Sequence, residues 1–500
     1  MDSNELLRLI SAAKDGFERY KDIFLRVQND FLGKLDTTTK QKLQKREKSA
    51  LFIPITASKV RRILASFQEA YFANDSIVHI HQSLEGSAPA ETISELQRAF
   101  DYYMKNKTKP FFTLTRNMLG AILHGTPIAK VYWSGDKPII ENVSVFDCWL
   151  DPQAEDARDI KYLVHNLKMA RSDILALKKQ GIFSEELGFG YDEQPYKREK
   201  LQEVYYLQEG AWNVATFIGQ NKIRDVALAD GLPFVVGALL PQVFDDDEDA
   251  VRAYGDSPTS ILLPLQREIN IRRNQQIDAI ALYLNPRILV ESGSLIDPNQ
   301  IIKGAGQIIQ CERLEGAKFM PMPPIQESIF DVNRLDTEAQ EALGVTSYNS
   351  GVDNNNTLLN STATGVSILS SEANTRINAL IRAYNETFVE PLMTRIAMLI
   401  YKYDPLFMGN FALRAPIEIL ASINTGIGAT NPQTQISNLD KAFAMFLQTQ
   451  NLQGANAVID EMLPLLGIKN KEKFLQQQAQ MAQQQMQAQN AQEQMAQAPP

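Results

Sequence analysis

The sequence predicts an α+β protein that is mainly helical, and three observations predict it. Ile377, Leu380, Ile381, Tyr384, Phe388, Leu392, Ile396, Leu399 and Tyr403 hold one helical face through many turns. Between Pro127 and Ile218 the apolar period shifts towards two, the spacing of half-buried strands. From Pro258 to Leu284 a long helical pattern is framed by Asp256 or Ser257 as cap, Pro258 in the first turn, and Asn285-Pro286 as stop.

The chain of 500 residues is long enough for a substantial core and more than one compact unit. Hydrophobic content of 44% with 22% charged residues is that of a globular protein, which excludes disorder of the whole chain. A net charge of -9 excludes a protein that wraps nucleic acid tightly, because strong phosphate binding needs a concentrated basic surface. The start Met1-Asp2-Ser3-Asn4-Glu5 is acidic where a signal peptide is basic, and no apolar run reaches membrane-span length, so a soluble chain without membrane insertion is expected. Cys148 and Cys311 stand far apart without metal-ligand spacing and read as two reduced, buried thiols.

In chain order, Leu6, Leu7, Ile10, Phe17, Tyr20, Phe24 and Val27 predict a helix up to about Gly33. The basic stretch Lys40–Lys48 reads as a solvated helix face. Val60, Ile63, Leu64, Phe67 and Tyr71 mark a second core helix, and a third runs near Phe111–Leu123 and ends at His124-Gly125. Ile128–Trp133, Ile139–Val145, Lys161–Leu167, Gln202–Leu207 and Trp212–Ile218 read as strands. In the helix from Pro258, the stripe Leu262, Leu265, Ile269 is interrupted by Arg272–Gln276 before Ile277, Ile280 and Leu284 resume it, a polarity that suits packing between like helices around a wet interior. At its rise per residue this helix would be about 40 Å long. A strand at Arg287–Glu291 and another around Gln307–Cys311 flank a turn-rich insertion closed by Pro321, Pro323 and Pro324. A returning helix then spans Gln326–Leu343, with Ile329, Val332, Leu335, Ala339 and Leu343 on one face. Pro391 must kink the long helix that follows the polar loop. A further helix begins at Asn431-Pro432 with Ile436, Leu439, Phe443, Phe446 and Leu447 inward. Val458, Ile459, Met462 and Leu466 mark another, stopped by Gly467. Of the 27 residues from Phe474 to Pro500, twelve are Gln, a composition that cannot hold a core alone.

No constellation for catalysis, cofactor or metal emerges. There is no G-x-x-x-x-G-K-[ST] phosphate cradle and no G-x-S-x-G elbow, and Gly304-Ala305-Gly306 lacks a third glycine and a following helix. His79 and His81 share one strand face without a third ligand. The run Asp245–Asp249 lacks the glycine and distal glutamate of a Ca²⁺ loop and reads as solvated. A metal-dependent nuclease or hydrolase with a dispersed acidic site around that run is the alternative reading. No catalytic residue is assigned.

The order of these elements resembles the core of a bacteriophage portal protein, closest to those of short-tailed phages. The strand Val145–Leu150 ending in Asp151-Pro152, with Glu155, Asp156 and Asp159 beyond, is similar to a recurrent element of that family. The resemblance covers roughly Phe17 to Tyr403. It implies a ring of homo-oligomeric subunits, usually twelve, around a channel for double-stranded DNA at the portal vertex of the virion, assembled in the host cytoplasm. Terminase, capsid or scaffolding protein and a tail adaptor would be its partners, and genome packaging, head-tail joining and ejection its tasks. Another head-tail connector or adaptor ring is the second alternative.

Carried over by position, residues 1–255 would form the wing, 256–286 the first stem helix, 287–325 the clip, 326–343 the second stem helix and 344–363 the tunnel loop. The long kinked helix would be 364–403, the crown 404–473 and a Gln-rich tail 474–500. The loop residues Ser347, Asn349, Ser350, Asn354, Asn355 and Asn356 would offer weak, sequence-blind contacts to sliding DNA. Arg267, Arg272 and Arg273 would line the stem channel or pair with acids of neighbouring subunits. Twelve helices spaced about 10 Å apart make a ring about 38 Å across, open by about 28 Å, which admits a duplex about 20 Å wide.

Overall fold

The computed structural model describes residues 1–72, 78–82, 89–184, 194–242, 251–284, 288–290, 317–319, 326–343, 375–410, 419–423, 432–449, 454, 455, 458, 459 and 462. They fall into two compact units, Met1–Asn424 and Thr425–Pro500, and the fold is α+β.

In the first unit α1 (Ser3–Leu32) opens with a capping box, Asp2 and Glu5 satisfying each other's backbone ends, and closes at Gly33 with φ 68°. Its two halves serve two cores. Leu6, Ile10 and Ala13 pack on Val164, Val204, Tyr206 and Phe217 of a sheet, whereas Phe17 and Phe24 enter an aromatic cluster with Tyr254 and Phe146. The sheet is antiparallel, in the order β4 (Cys148–Leu150), β5 (Tyr162–Ala170), β6 (Arg198–Gln208), β7 (Ala211–Ile218), β8 (Asn221–Ala227). Helix α6 (Arg171–Lys179) adds Ile174 and Leu175 to a core with Leu201 and Ile223. A three-stranded sheet has the order β3 (Lys137–Asn142), β2 (Ile128–Ser134), β9 (Phe234–Val236).

The largest core gathers α3 (Ile55–Phe72), α4 (Ala90–Tyr102), α5 (Phe111–His124) and the helices between 375 and 403. The stripe expected there is real: Ile377 through Leu399 are buried and Tyr403 packs at the edge. Pro391 has no N–H to give the carbonyl of Thr387. The chain answers with a π-helical turn, Asn385–Val389, between helix α9 (375–384) and α10 (Glu390–Tyr403). Thr387 locks that turn: its hydroxyl bonds the carbonyls of Ala238 (2.9 Å) and Ala383 (2.8 Å). A short helix, α11 (Pro405–Gly409), follows. Strand β1 (Val78–Gln82) pairs with β12 (Ile419–Ile423), burying Val78 and Ile80 while His79 and His81 take the other face. In the second unit α12 (Pro432–Gln448) starts where Asn431-Pro432 predicts. Its Leu439, Phe443 and Phe446 are half-buried there, and the chain at Gly454 lies so close to the Phe446 ring that a Cβ would sit 2.7 Å from it. Ile436 and Leu447 have side chains outside the described residues.

One expectation changes. The helix expected from Pro258 begins at Leu262, as α7 (Leu262–Leu284). Ser257 Oγ accepts the N–H groups of Thr259 and Ser260 while donating to the Leu123 carbonyl, so this turn is spent anchoring the chain to α5. Strand β10 (Ile288–Val290) pairs antiparallel with β11 (Ala317–Phe319). The segment Gln307–Cys311, the Asp245–Asp249 run, Gly304–Gly306, Leu466-Gly467 and the Gln-rich tail lie outside the described residues, while Cys148 is a buried free thiol.

His124, at the end of α5, sits edge-on to Phe24 and Phe146 at 5.5 and 5.3 Å. Burial pushes its imidazole down to about 4 against the pull of the Gly120 carbonyl. With the folded pKa below the unfolded one, the unfolded chain takes the proton first. Stability is complete above about pH 6.5 and is lost as pH falls towards 4, by up to about 3 kcal/mol. Denaturant titrations at pH 5 and pH 7 should show this loss in the native chain and not in His124→Phe; equal pH slopes in the two would refute it.

Candidate functional site

The long helix α7 and the helix that returns beside it, α8 (Gln326–Leu343), carry the site. They pack together and against α3: Leu262, Ala339 and Leu343 share the main core, and Leu335 is also buried. Lys59 on α3 is buried and reaches Asp336 on α8 at 3.1 Å. Burial pushes its ammonium pKa down, and the Asp336 carboxylate recovers only part of that shift.

One face of α7 is polar and yet buried. Gln266, Asn270, Asn274 and Asp278 follow at intervals of four, and all four bind the backbone of the segment leading into α3. Asp278 accepts from Ser49 N (2.9 Å), and Asn270 from Ile53 N (2.9 Å). Asn274 both accepts from Leu51 N and donates to Leu51 O, each at 2.8 Å. Gln266 donates to Ile53 O (2.6 Å) and accepts from Thr56 N (3.0 Å). Four helical residues rise about 6 Å and two extended residues about 6.6 Å, so side chains at every fourth position meet every second residue of an antiparallel partner. At the α3 end the step lengthens to three residues, from Ile53 to Thr56. The extra methylene of Gln266 spans it and caps the first turn of α3. Burial pushes the Asp278 carboxyl up, but the Ser49 hydroxyl and N–H with Lys48 more than offset it and leave it lowered.

The interruption at Arg272–Gln276 therefore has an answer inside the chain: Asn274 is turned to Leu51, and Gln276 is buried and accepts from Arg273 at 2.7 Å. Arg267, Arg272 and Arg273 are exposed. Arg272 lies 3.5 Å from Glu268 on its own helix. At about 100° per residue the three arginines spread around α7 and form no single row. Beyond the ladder the helix changes character. Ile280, Tyr283 and Leu284 are 41%, 67% and 72% exposed. The loop residues Ser347, Asn349, Ser350, Asn354, Asn355 and Asn356 lie outside the described residues.

A second polar centre sits under the large sheet, and the sequence reading missed it. Glu203 accepts from Lys130 (2.9 Å) and from the Tyr205 hydroxyl (2.7 Å), with His165 at 3.4 Å. Lys130 also lies over the rings of Tyr205 and Phe234. Burial alone would raise the Glu203 carboxyl, but His165, Lys130 and Tyr205 together bring it to about 2. Its members are spread from residue 130 to 234, so no local motif announces it. Every group in it is answered by another, which makes it a pinned wall of a cleft of about 280 Å³ that Arg224 and Arg395 also line. Among the described residues no three His, Cys, Asp or Glu side chains gather to hold a metal, and no helix is long and apolar enough to cross a membrane.

No curated protein matches the chain. A family model described as the phage SU10 portal protein matches residues 210–499, which takes in both packed long helices, the clip-like excursion, the polar loop and the bent helix. Portal proteins are structural components of the virion. With more than half of its length matched, the chain belongs to the phage SU10 portal protein family and is a phage portal protein.

Proposed function

We propose that this portal protein forms a non-enzymatic ring of twelve copies at the capsid vertex, through which double-stranded DNA is packaged and later ejected. Helices α7 and α8 are its stem, residues 287–325 the clip that docks the terminase and afterwards the tail adaptor, and residues 1–255 the wing that meets capsid or scaffolding protein. Residues 344–363, with Ser347, Asn349, Ser350, Asn354, Asn355 and Asn356, form the loop against DNA, supported by the bent helix 364–403. Residues 404–473 form the crown, with 474–500 as its tail. Assembly takes place in the host cytoplasm.

The apolar end of α7 carries this reading. Ile280, Tyr283 and Leu284 stay exposed at the end of a helix whose polar ladder, Gln266 to Asp278, is answered within the chain, so neighbouring copies of the same helix are the natural cover. The exposed Arg267, Arg272 and Arg273 then face acids of the neighbour or the DNA, at modest strength. Electron microscopy of the purified protein should show closed rings with an axial opening of about 28 Å. Monomers or dimers alone, across salt and protein concentration, would refute the ring.

A further inference from the structure

From Tyr102 to Arg116 the chain has no Asp or Glu and four cations, although the protein as a whole carries -9. A π-helical turn, Tyr103–Thr108, and the start of α5 bring this stretch to the surface. The turn is held rigidly. Lys109 N closes it on Met104 O at 3.1 Å, the Thr108 hydroxyl and the Lys137 ammonium tie it to the β2–β3 hairpin, and Lys109 itself stands at φ 48°. A lysine in the left-handed region costs stability, and here it closes a turn whose Tyr103 and Met104 are buried in the main core while Lys105 and Lys109 stay exposed.

Three aromatic rings stand on this surface: Tyr102 is 53% exposed, Phe111 51% and Phe112 68%. Each is braced from one side, Tyr102 by Tyr103, Phe111 by Phe72 at 4.8 Å, and Phe112 by the Arg116 guanidinium at 5.2 Å. Lys107 is taken by Asp136. Lys105, Lys109 and Arg116 are exposed and make no ion pair with any described residue.

Unpaired cations call for an anion, and flat apolar faces call for something flat to lie on them. An acidic helix would need a groove, whereas rings more than half exposed stand proud of the surface. A duplex offers phosphates but hides its base faces, and an unpaired strand offers both. We propose that Tyr102, Lys105, Lys109, Phe111, Phe112 and Arg116 form a binding surface for unpaired nucleotides, in a single strand or at the frayed end of a duplex. The rings stack on bases and the cations hold the phosphates. This surface shares no residue with the proposed channel loop and does not rest on the ring.

The test is fluorescence anisotropy of the full chain with a labelled oligothymidylate of about 15 nucleotides, beside a blunt duplex of the same length and a polyglutamate competitor. The single strand should bind more tightly than the duplex, and the double variant Phe111→Ala/Phe112→Ala should weaken it about tenfold or more, while Phe112→Trp retains it. Lys105→Glu/Lys109→Glu should weaken binding and flatten its salt dependence. Reversing Lys40, Lys42 and Lys45, on a helix with no buried residue, should leave it unchanged. Duplex binding as tight as single-strand binding and indifferent to the phenylalanines would overturn the proposal. So would equal displacement by polyglutamate, loss of binding on reversing Lys40, Lys42 and Lys45, or no binding at all. Sedimentation of the same samples reads assembly separately: oligonucleotide binding without rings would sink the ring alone.

Discussion

Gly125→Ala should cost at least about 4 kcal/mol or abolish folding, the largest effect expected of any single methyl group in this chain. Gly125 ends α5 at φ 78°, and a Cβ there would lie 2.2 Å from the carbonyl oxygen of Asp256 and 2.6 Å from that of Gly255. Both obstacles are backbone, so no rotamer relieves them. Gly255 stands in the reciprocal position, its own Cβ 2.4 Å from the Gly125 oxygen. Three segments are locked at this crossing. Gly125 O accepts from Leu239 N (2.8 Å), Asp256 N donates to Leu240 O (2.9 Å), and Gly255 N donates to the Thr126 hydroxyl (2.9 Å). The chain passes directly from here into α7, so the crossing sets where the long helix leaves the body of the fold. Gly135→Ala supplies the control: its φ is 62° but nothing lies within 4 Å of the added carbon. That variant isolates left-handed backbone strain, about 1 kcal/mol. Urea unfolding of both proteins decides the matter, and a Gly125→Ala loss no larger than that of Gly135→Ala would show that the crossing yields.

The parts of this architecture that sequence reveals are those written in one stretch of chain. The stripe from Ile377 to Leu399, the return helix Gln326–Leu343 and the alternation of β5, β6 and β7 need only local periodicity, and each is found where periodicity places it. What stayed hidden depends on partners far away. Strand β1 is completed by β12, more than three hundred residues on, and β9 is three residues long and acts only as the edge beside β2. Pro391 announces an irregular helix, but the π-helical form it takes is set by Thr387 against Ala238. The polar centre at Glu203 draws on three strands and has no signature. The ladder on α7 differs from these, because Gln266, Asn270, Asn274 and Asp278 recur every four residues in plain view. A search for apolar stripes reads such positions as an interruption, since it scores amides as solvent-facing; a search for polar side chains at fixed helical spacing would have found the row.

Asn270→Leu/Asn274→Leu should destabilise the protein by about 2–4 kcal/mol, the largest effect expected of any change to side chains on α7. The opposing terms can be weighed. Leucine is the better helix former by about half a kcal/mol per site, and two more apolar side chains on a packed face gain some transfer energy. Against this, Leu51 loses the partners of both its N–H and its carbonyl, and Ile53 loses that of its N–H. Each such group left without a partner costs about 1–3 kcal/mol when water cannot reach it; Leu51 is half exposed, which brings the sum to the lower part of that range. The loss should be local before it is global. With the ladder cut, the hydrogen bonds that α7 still makes to Ser49–Pro54 among the described residues are those of Asp278 at one end and Gln266 at the other, so proteolysis should nick this segment at denaturant concentrations where the rest of the molecule is still folded. Asn274→Asp keeps the acceptor for Leu51 N but presents a second oxygen to Leu51 O, and should fall between the native chain and the double variant. A double variant as stable as the native protein would mean that packing, and not the side-chain hydrogen bonds, holds this segment on α7. A loss confined to the ladder, with Lys59 and Asp336 still joined, would make α7 a helix whose polar face acts as the edge of a sheet.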